Sequence, residues 1–263
     1  MHKLKDKLTF ITPVRFDTEE RGVHFNFVLE YLTSNCNVNI LVYENDFESK
    51  WEKYIRPNLR SKCQHKFFKN PEVEGVFNKC KLLNEMTIDA KTPIICMHDC
   101  DLIIPNFDEY VEALEFVINH EFSYCVPYNR VEKYEVTEKY RSTMKKCHLK
   151  LEKTAGSPPG GVIMLSKKNC IMCGMWNEKF ESWGQEDNEF YSRLQILLKN
   201  GRRGTTNLIH YNHPKQKTGF YRHGKTSNKY IWKEIEKMPE DKLRELVKSW
   251  PWVKLAKERI KKI

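Results

Sequence analysis

The stretch ICMHDCDLIIP, Ile95 to Pro105, sets two aspartates one residue apart at the end of an apolar run. A short apolar run that stops at charge reads as a buried strand, and a core has no use for two unpaired carboxylates. They belong where the strand leaves its sheet. In open α/β sheets that edge, the carboxyl ends of the strands, is where ligands bind. Asp99 and Asp101 are therefore read as candidate site residues, and the flanking sequence is expected to alternate strand and helix.

The alternation is present. KLTFITPV, from Lys7 to Val14, predicts a strand, and Phe25 to Leu32 carries the apolar face of a following helix. VNILVYEND, Val38 to Asp46, predicts a second strand with acids at its carboxyl end. Phe77, Leu82, Leu83, Met86 and Ile88 mark a helix, and Pro93 to Met97 is the strand that runs into the aspartates. The pattern is that of a mostly parallel sheet with crossover helices. Arg15, Glu44, Asp99 and Asp101 all fall at predicted strand ends. Near Thr226 the character changes, and Asn228 to Ile263 predicts two basic amphipathic helices separated around Trp250-Pro251-Trp252. The expected organisation is one domain over 1–227 and a helical tail over 228–263, packed on it.

Composition narrows the function classes. At 263 residues the chain can bury a full core. Its formal net charge of +10 favours an anionic partner: a nucleotide, a nucleic acid or an acidic membrane surface. Nine cysteines, odd in number and irregularly spaced, predict free thiols in a reducing compartment, and Cys170 and Cys173 lack the second pair a zinc site needs. No apolar stretch reads as a signal peptide or a membrane span. A cytoplasmic location is expected. From Lys225 to Ile263 there are twelve Lys and Arg against six Asp and Glu, with Trp232, Trp250 and Trp252 interleaved, which leaves peripheral contact with an anionic membrane as a second option.

An Asp-x-Asp at a strand end can hold a hard divalent cation through one carboxylate while the other meets a ribose or a metal-bound water. An acidic turn with no ligand is the alternative. What separates the two is an ordered set of further motifs: FNKCKLLNEM from Phe77, PPGGVIMLSK from Pro158, and WNEKFESWGQEDNEFYSRL from Trp176. The run Phe-Asn-basic-x-Lys-Leu-Leu-Asn, the Asp-x-Asp-Leu-Ile, the Gly-Gly-Val and the Trp-Gly-x-Glu-Asp, in this order, resemble the β-1,4-galactosyltransferase family and its relatives. These are inverting sugar-nucleotide transferases with the Rossmann-like GT-A fold. The resemblance covers roughly residues 10–222.

The resemblance implies roles. Pro13 and Arg15 match the Pro-x-Arg that contacts the nucleotide, Glu44 sits where a polar residue meets the base, and Lys81 is the lysine of the donor-side run. Asp101 corresponds to the metal-binding aspartate and Asp99 to its companion, which supports the metal site from behind or contacts the ribose, while Gly160 and Gly161 let backbone approach the sugar. Asp187 matches the general base. Glu186 would bind sugar or acceptor hydroxyls, and Trp183 would offer a face to a pyranose ring. His210 and His213 stand where the family has a methionine and a histidine, so Mn2+, or Mg2+, is the expected cofactor. A helix N-terminus capped by acids is a second reading of Glu186 and Asp187. Gln185 departs from the family, which commonly has a second glycine there. The implied activity is transfer of galactose or N-acetylgalactosamine from a UDP-sugar to a glycan acceptor. The alternatives are UDP-glucose or UDP-xylose as donor, or a non-catalytic basic module that binds nucleic acid.

Overall fold

A computed structural model describes residues 2–72, 75–143, 145–180, 184–214 and 220–260. In chain order, the elements that build the site are β1 (Leu8–Val14), α1 (Glu19–Asn35), β2 (Asn39–Asp46), β3 (Gln64–Lys69), α2 (Lys79–Asp89), β4 (Ile94–His98), β5 (Leu102–Ile103) and α3 (Asp108–Asn119). They continue with β6 (Ser123–Val126), β7 (Val131–Glu135), β8 (Lys150–Thr154), β9 (Val162–Ser166), α4 (Lys167–Met172), α5 (Glu186–Leu197), β10 (Asn200–Arg203) and β11 (Leu208–Tyr211). Three helices follow: α6 (Phe220–Glu236), α7 (Glu240–Ser249) and α8 (Pro251–Ile260).

Seven strands form the central sheet in the order β10-β6-β9-β4-β1-β2-β3. Every residue of β1 and of β4 is buried, the expected state of strands covered on both faces by helices. All neighbouring pairs are parallel except those made by β9, which runs antiparallel to both β4 and β6. That reversal matters for the site. Because Val162 pairs with His98, the residues just before β9 arrive at the edge where β4 ends. Gly160 and Gly161 thereby meet Asp99, whose N–H donates to the Gly161 carbonyl at 2.8 Å.

A second, four-stranded sheet has the order β8-β7-β11-β5. Its short strand β5 directly follows the Asp-x-Asp, and His210 of β11 pairs with Leu102. The pairing carries His210 to the aspartates from more than a hundred residues away. On α1, Thr18 accepts from the Arg21 N–H at 3.3 Å as N-cap, with Glu19 and Glu20 in the first turn to complement the helix dipole.

The basic tail forms three helices where the sequence suggests two. Residues 220–236 are already helical, and Pro251 opens a helix of its own, as its fixed φ and missing N–H suit a first-turn position. Trp250 is buried against Arg193, with the guanidinium carbon 5.0 Å from the ring centroid. The Trp252 indole N–H donates to the Gly174 carbonyl at 2.9 Å, and that of Trp232 to Ser192 Oγ at 3.1 Å. Arg259 pairs with Glu85 at 2.7 Å and with Asp89 at 3.2 Å on α2. The tryptophans thus face the domain. Cys170 and Cys173 are buried free thiols. Among the described residues no helix is long and apolar enough to cross a membrane.

Candidate active site

His98 ends β4 and fixes its exit. Burial pushes the imidazole down to about 4, so it is neutral. Nδ1 lies 2.8 Å from the Asp99 carbonyl, which can only accept, so Nδ1 carries the proton and Nε2 accepts from the Tyr110 hydroxyl at 2.8 Å. The next residues point two carboxylates in different directions.

Asp101 turns toward β11. Its Oδ2 lies 3.1 Å from His213 Nε2 and 3.6 Å from His210 Nε2. One oxygen and two ring nitrogens within 4.8 Å of one another are a donor set that fits a borderline divalent ion such as Mn2+. Burial alone would raise the Asp101 carboxyl, but hydrogen bonds from His210 and His213 and the charge of Arg21 hold it well below the usual carboxylate range. The Arg21 guanidinium is 3.2 Å from His213 Nε2 and pairs with Asp17 at 2.7 Å, flanking the cluster with positive charge.

Asp99 turns the other way, toward α2 and α5. Lys79, the first residue of α2, extends its Nζ to 3.3 Å from Asp99, 3.3 Å from Asp187 and 3.6 Å from Glu186. One ammonium therefore joins three carboxylates from two distant segments. Burial would lower the lysine, yet Asp187, Asp99 and Glu186 together hold it well above the ordinary value. The carboxyls of Asp187 and Glu186 are raised, in both cases chiefly by burial. The neighbouring acid adds to this and Lys79 opposes it.

Asp187 does not cap its helix. The cap is Gln185, whose left-handed φ of 72° follows Gly184 at 117°, and its side chain makes no capping hydrogen bond. Gln185 Oε1 instead accepts from Asn188 at 2.7 Å. Glu186 reaches back to accept from the Gly184 N–H at 2.8 Å. Asp187 keeps both oxygens toward Lys79, with 23% of its side chain exposed. Gly160 lies against it: a Cβ there would be 2.2 Å from Asp187 Oδ2. Gly161 has φ +93° and faces Leu102, so neither position accepts a side chain without displacing a neighbour. Tyr128 donates to the Pro158 carbonyl at 2.7 Å and also to that of Gly160, which fixes the loop.

Not every expected residue joins this cluster. Glu44 is fully buried and accepts from Ser49 Oγ at 2.7 Å and from the Lys50 N–H at 2.7 Å, with His65 Nε2 at 3.0 Å. It organises the turn after β2. Lys81 is on the exposed side of α2, and Lys79, two residues earlier in the same motif, occupies the site. Pro13 is buried in β1 opposite Tyr43. Arg15 is nearly buried, donates to the Gly75 carbonyl and lies 3.9 Å from Asp46. Trp183 falls outside the described residues.

Residues 138–217 match the profile of a family described as the N-terminal domain of galactosyltransferase. That span includes Gly160, Gly161, Asp187, His210 and His213. Beta-1,4-galactosyltransferase 7 of Mus musculus is 27% identical over 139 residues, which are 52% of this chain and 36% of the relative. The aligned chain thus spans about a third of the length of the curated relatives it matches. Among solved structures, the catalytic domain of Drosophila beta1,4galactosyltransferase 7, in complex with xylobiose, aligns with a TM-score of 0.50 at 15% identity. The alignment covers 92% of this chain and 84% of that one. GalNAc-T7, solved with UDP, GalNAc and Mn2+, aligns with a TM-score of 0.58 at 12% identity, over 97% of this chain and 54% of that one. At such identities the structures speak for the fold. The chain is built on the GT-A glycosyltransferase fold and resembles the β-1,4-galactosyltransferases.

Proposed function

We propose that this protein transfers a sugar, galactose or N-acetylgalactosamine, from its UDP derivative to a hydroxyl of a glycan acceptor, with inversion at the anomeric carbon. The observation that carries the reading is the junction at Asp99 and Asp101: the Asp101–His210–His213 cluster lies to one side, and the Lys79-bound Asp187 to the other. A donor whose diphosphate lies on the cluster presents its anomeric carbon toward Asp187.

Asp101, His210 and His213 would hold Mn2+ or Mg2+, which supplies positive charge against the diphosphate leaving group. Arg15 and Arg21 add fixed guanidinium charge along the same edge. Gly160 and Gly161 leave room for a pyranose ring beside the backbone. Asp187 accepts the proton of the acceptor hydroxyl as that oxygen attacks the anomeric carbon and the bond to the diphosphate breaks. Lys79 keeps Asp187 ionised and aimed, and Glu186, tied to the Gly184 N–H, orients hydroxyls. UDP-glucose and UDP-xylose as donors would use the same chemistry. No observation favours a nucleic-acid module: among the described aromatics only Phe47, Phe122 and Tyr230 are exposed, and stacking platforms need more.

A panel of UDP-sugars assayed with Mn2+ for hydrolysis and transfer tests the proposal. Turnover of UDP-galactose or UDP-N-acetylgalactosamine with a β-linked product supports it. Retention of configuration, or no UDP affinity with Mn2+ present, rules it out.

A further inference from the structure

The second sheet carries charge that the proposed donor site does not use. His210 pairs in register with Lys133 of β7, and Lys133 pairs with Lys153 of β8. Cross-strand partners share a face, so the two lysines continue outward from His210 on the face that carries its ring to Asp101. Leu102, the partner of His210 on the other side, packs on Gly161, which confirms that this face borders the cleft. At about 4.8 Å per strand, the row reaches roughly 10 Å from the histidine.

Like charges directly opposite on a sheet repel. Among the described residues neither Lys133 nor Lys153 has a carboxylate within salt-bridge distance. The nearby acids are engaged elsewhere. Glu135 pairs with Lys150 at 3.0 Å, Glu132 accepts from Tyr134 and Asn207 and pairs with Lys146, and Glu152, at the irregularity in β8, accepts from Asn212. From Arg130 to Thr154 there are eight Lys and Arg against four Asp and Glu. β8 then leads through Ala155 and Gly156, both bonded to Val131, to the glycines beside Asp187.

We infer that Lys133 and Lys153 form an acceptor subsite for an anionic group, a phosphate, sulfate or carboxylate on the glycan that receives the sugar. The inference rests on the transferase reading and adds the acceptor's chemical class. An acceptor hydroxyl at Asp187 with a negative group a sugar or two away meets this row without competing for the Asp101 cluster.

The test compares xylobiose with sulfated xylobiose as binding probes for protein saturated with UDP and Mn2+, beside the double variant Lys133→Gln/Lys153→Gln. The sulfated probe should bind roughly five- to tenfold tighter to the wild type, the range two partly exposed ion pairs allow. The double variant should lose most of that preference, keep its UDP affinity, and melt at the same or a higher temperature because a repulsive pair is gone. Equal affinity for both probes, or a preference that survives the double substitution, overturns the inference. So does a loss of UDP affinity in the variant, which would assign the row to the donor's diphosphate. If wild-type protein binds no UDP the transferase reading fails, and the same comparison without UDP still decides whether the row binds anions.

Discussion

Replacing Lys79 by methionine keeps most of the side-chain volume and removes the cation that joins Asp99, Glu186 and Asp187. At 3.3 Å and an effective dielectric constant of about 20, a lysine–aspartate pair is worth roughly 5 kcal/mol. Division among three carboxylates, and screening of an Asp187 side chain that is 23% exposed, reduce the share of Asp187 to about 1.5–3 kcal/mol. Losing that share raises the Asp187 carboxyl further. Transfer needs the ionised base, so the acid limb of the kcat profile should move to higher pH in Lys79→Met, with the plateau at high pH partly kept. The linkage has a second consequence. Carboxyls raised in the fold bind protons more tightly folded than unfolded, so their contribution to stability grows as pH falls through the raised values. The raised Lys79 stabilises fully below the ordinary lysine pKa, and that contribution is lost as pH rises through its folded value. The variant should therefore regain stability relative to wild type on acidification from neutral pH. The assays are a pH–rate profile and a carboxyl 13C titration of aspartate-labelled protein. An acid limb and an Asp187 resonance unmoved by the substitution would refute the charge-clamp reasoning.

Other substitutions probe the remaining parts. Asp101→Ala should abolish Mn2+-dependent UDP binding in calorimetry while Asp99→Asn weakens it less, and equal Mn2+ affinity in wild type and Asp101→Ala would remove Asp101 as a ligand. Gly160→Ala puts a Cβ 2.2 Å from Asp187 Oδ2, so the base must shift by about an ångström. Transfer should fall about 10²-fold with UDP affinity kept, and a wild-type rate would mean that Asp187 has freedom to move. Arg193 and Glu189 form a fully buried pair at 2.7 Å that also supports Trp250 of the tail. Glu189→Ala should cost about 3–5 kcal/mol in denaturant unfolding, and a cost near 1 kcal/mol would show that the pair is dispensable.

Much of the site was legible because it lies at strand ends. Asp99 and Asp101 declare themselves by their place after an apolar run, and the parallel strands around them follow from continuous burial. Lys79 was harder to find. The motif Phe-Asn-Lys-Cys-Lys offers two lysines, and only the start of α2, which puts residue 79 at the cleft and residue 81 on the outer side, chooses between them. A capping count from Asn78 would have located it. Glu44 has a second role that its place after a strand also allows: an acid there is an acceptor for its own turn, and Ser49, Lys50 and His65 all use it. The pairing of His210 with Leu102, which brings the metal-ligand candidates together, is long-range register that local periodicity does not encode. In the tail, amphipathic spacing revealed helices but not their packing. The inward turn of Trp250 depends on Arg193, which sits in another element.

The central claim is that Asp187 is the base of a sugar transfer, and Asp187→Asn tests it most directly. The amide keeps the size and most hydrogen bonds of the side chain but cannot take a proton. Transfer rate at saturating donor and acceptor should fall by roughly 10²–10⁴-fold, with UDP affinity unchanged on the same samples. An asparagine variant that transfers sugar at the wild-type rate would contradict the mechanism and leave Asp187 as no more than the structural partner of Lys79.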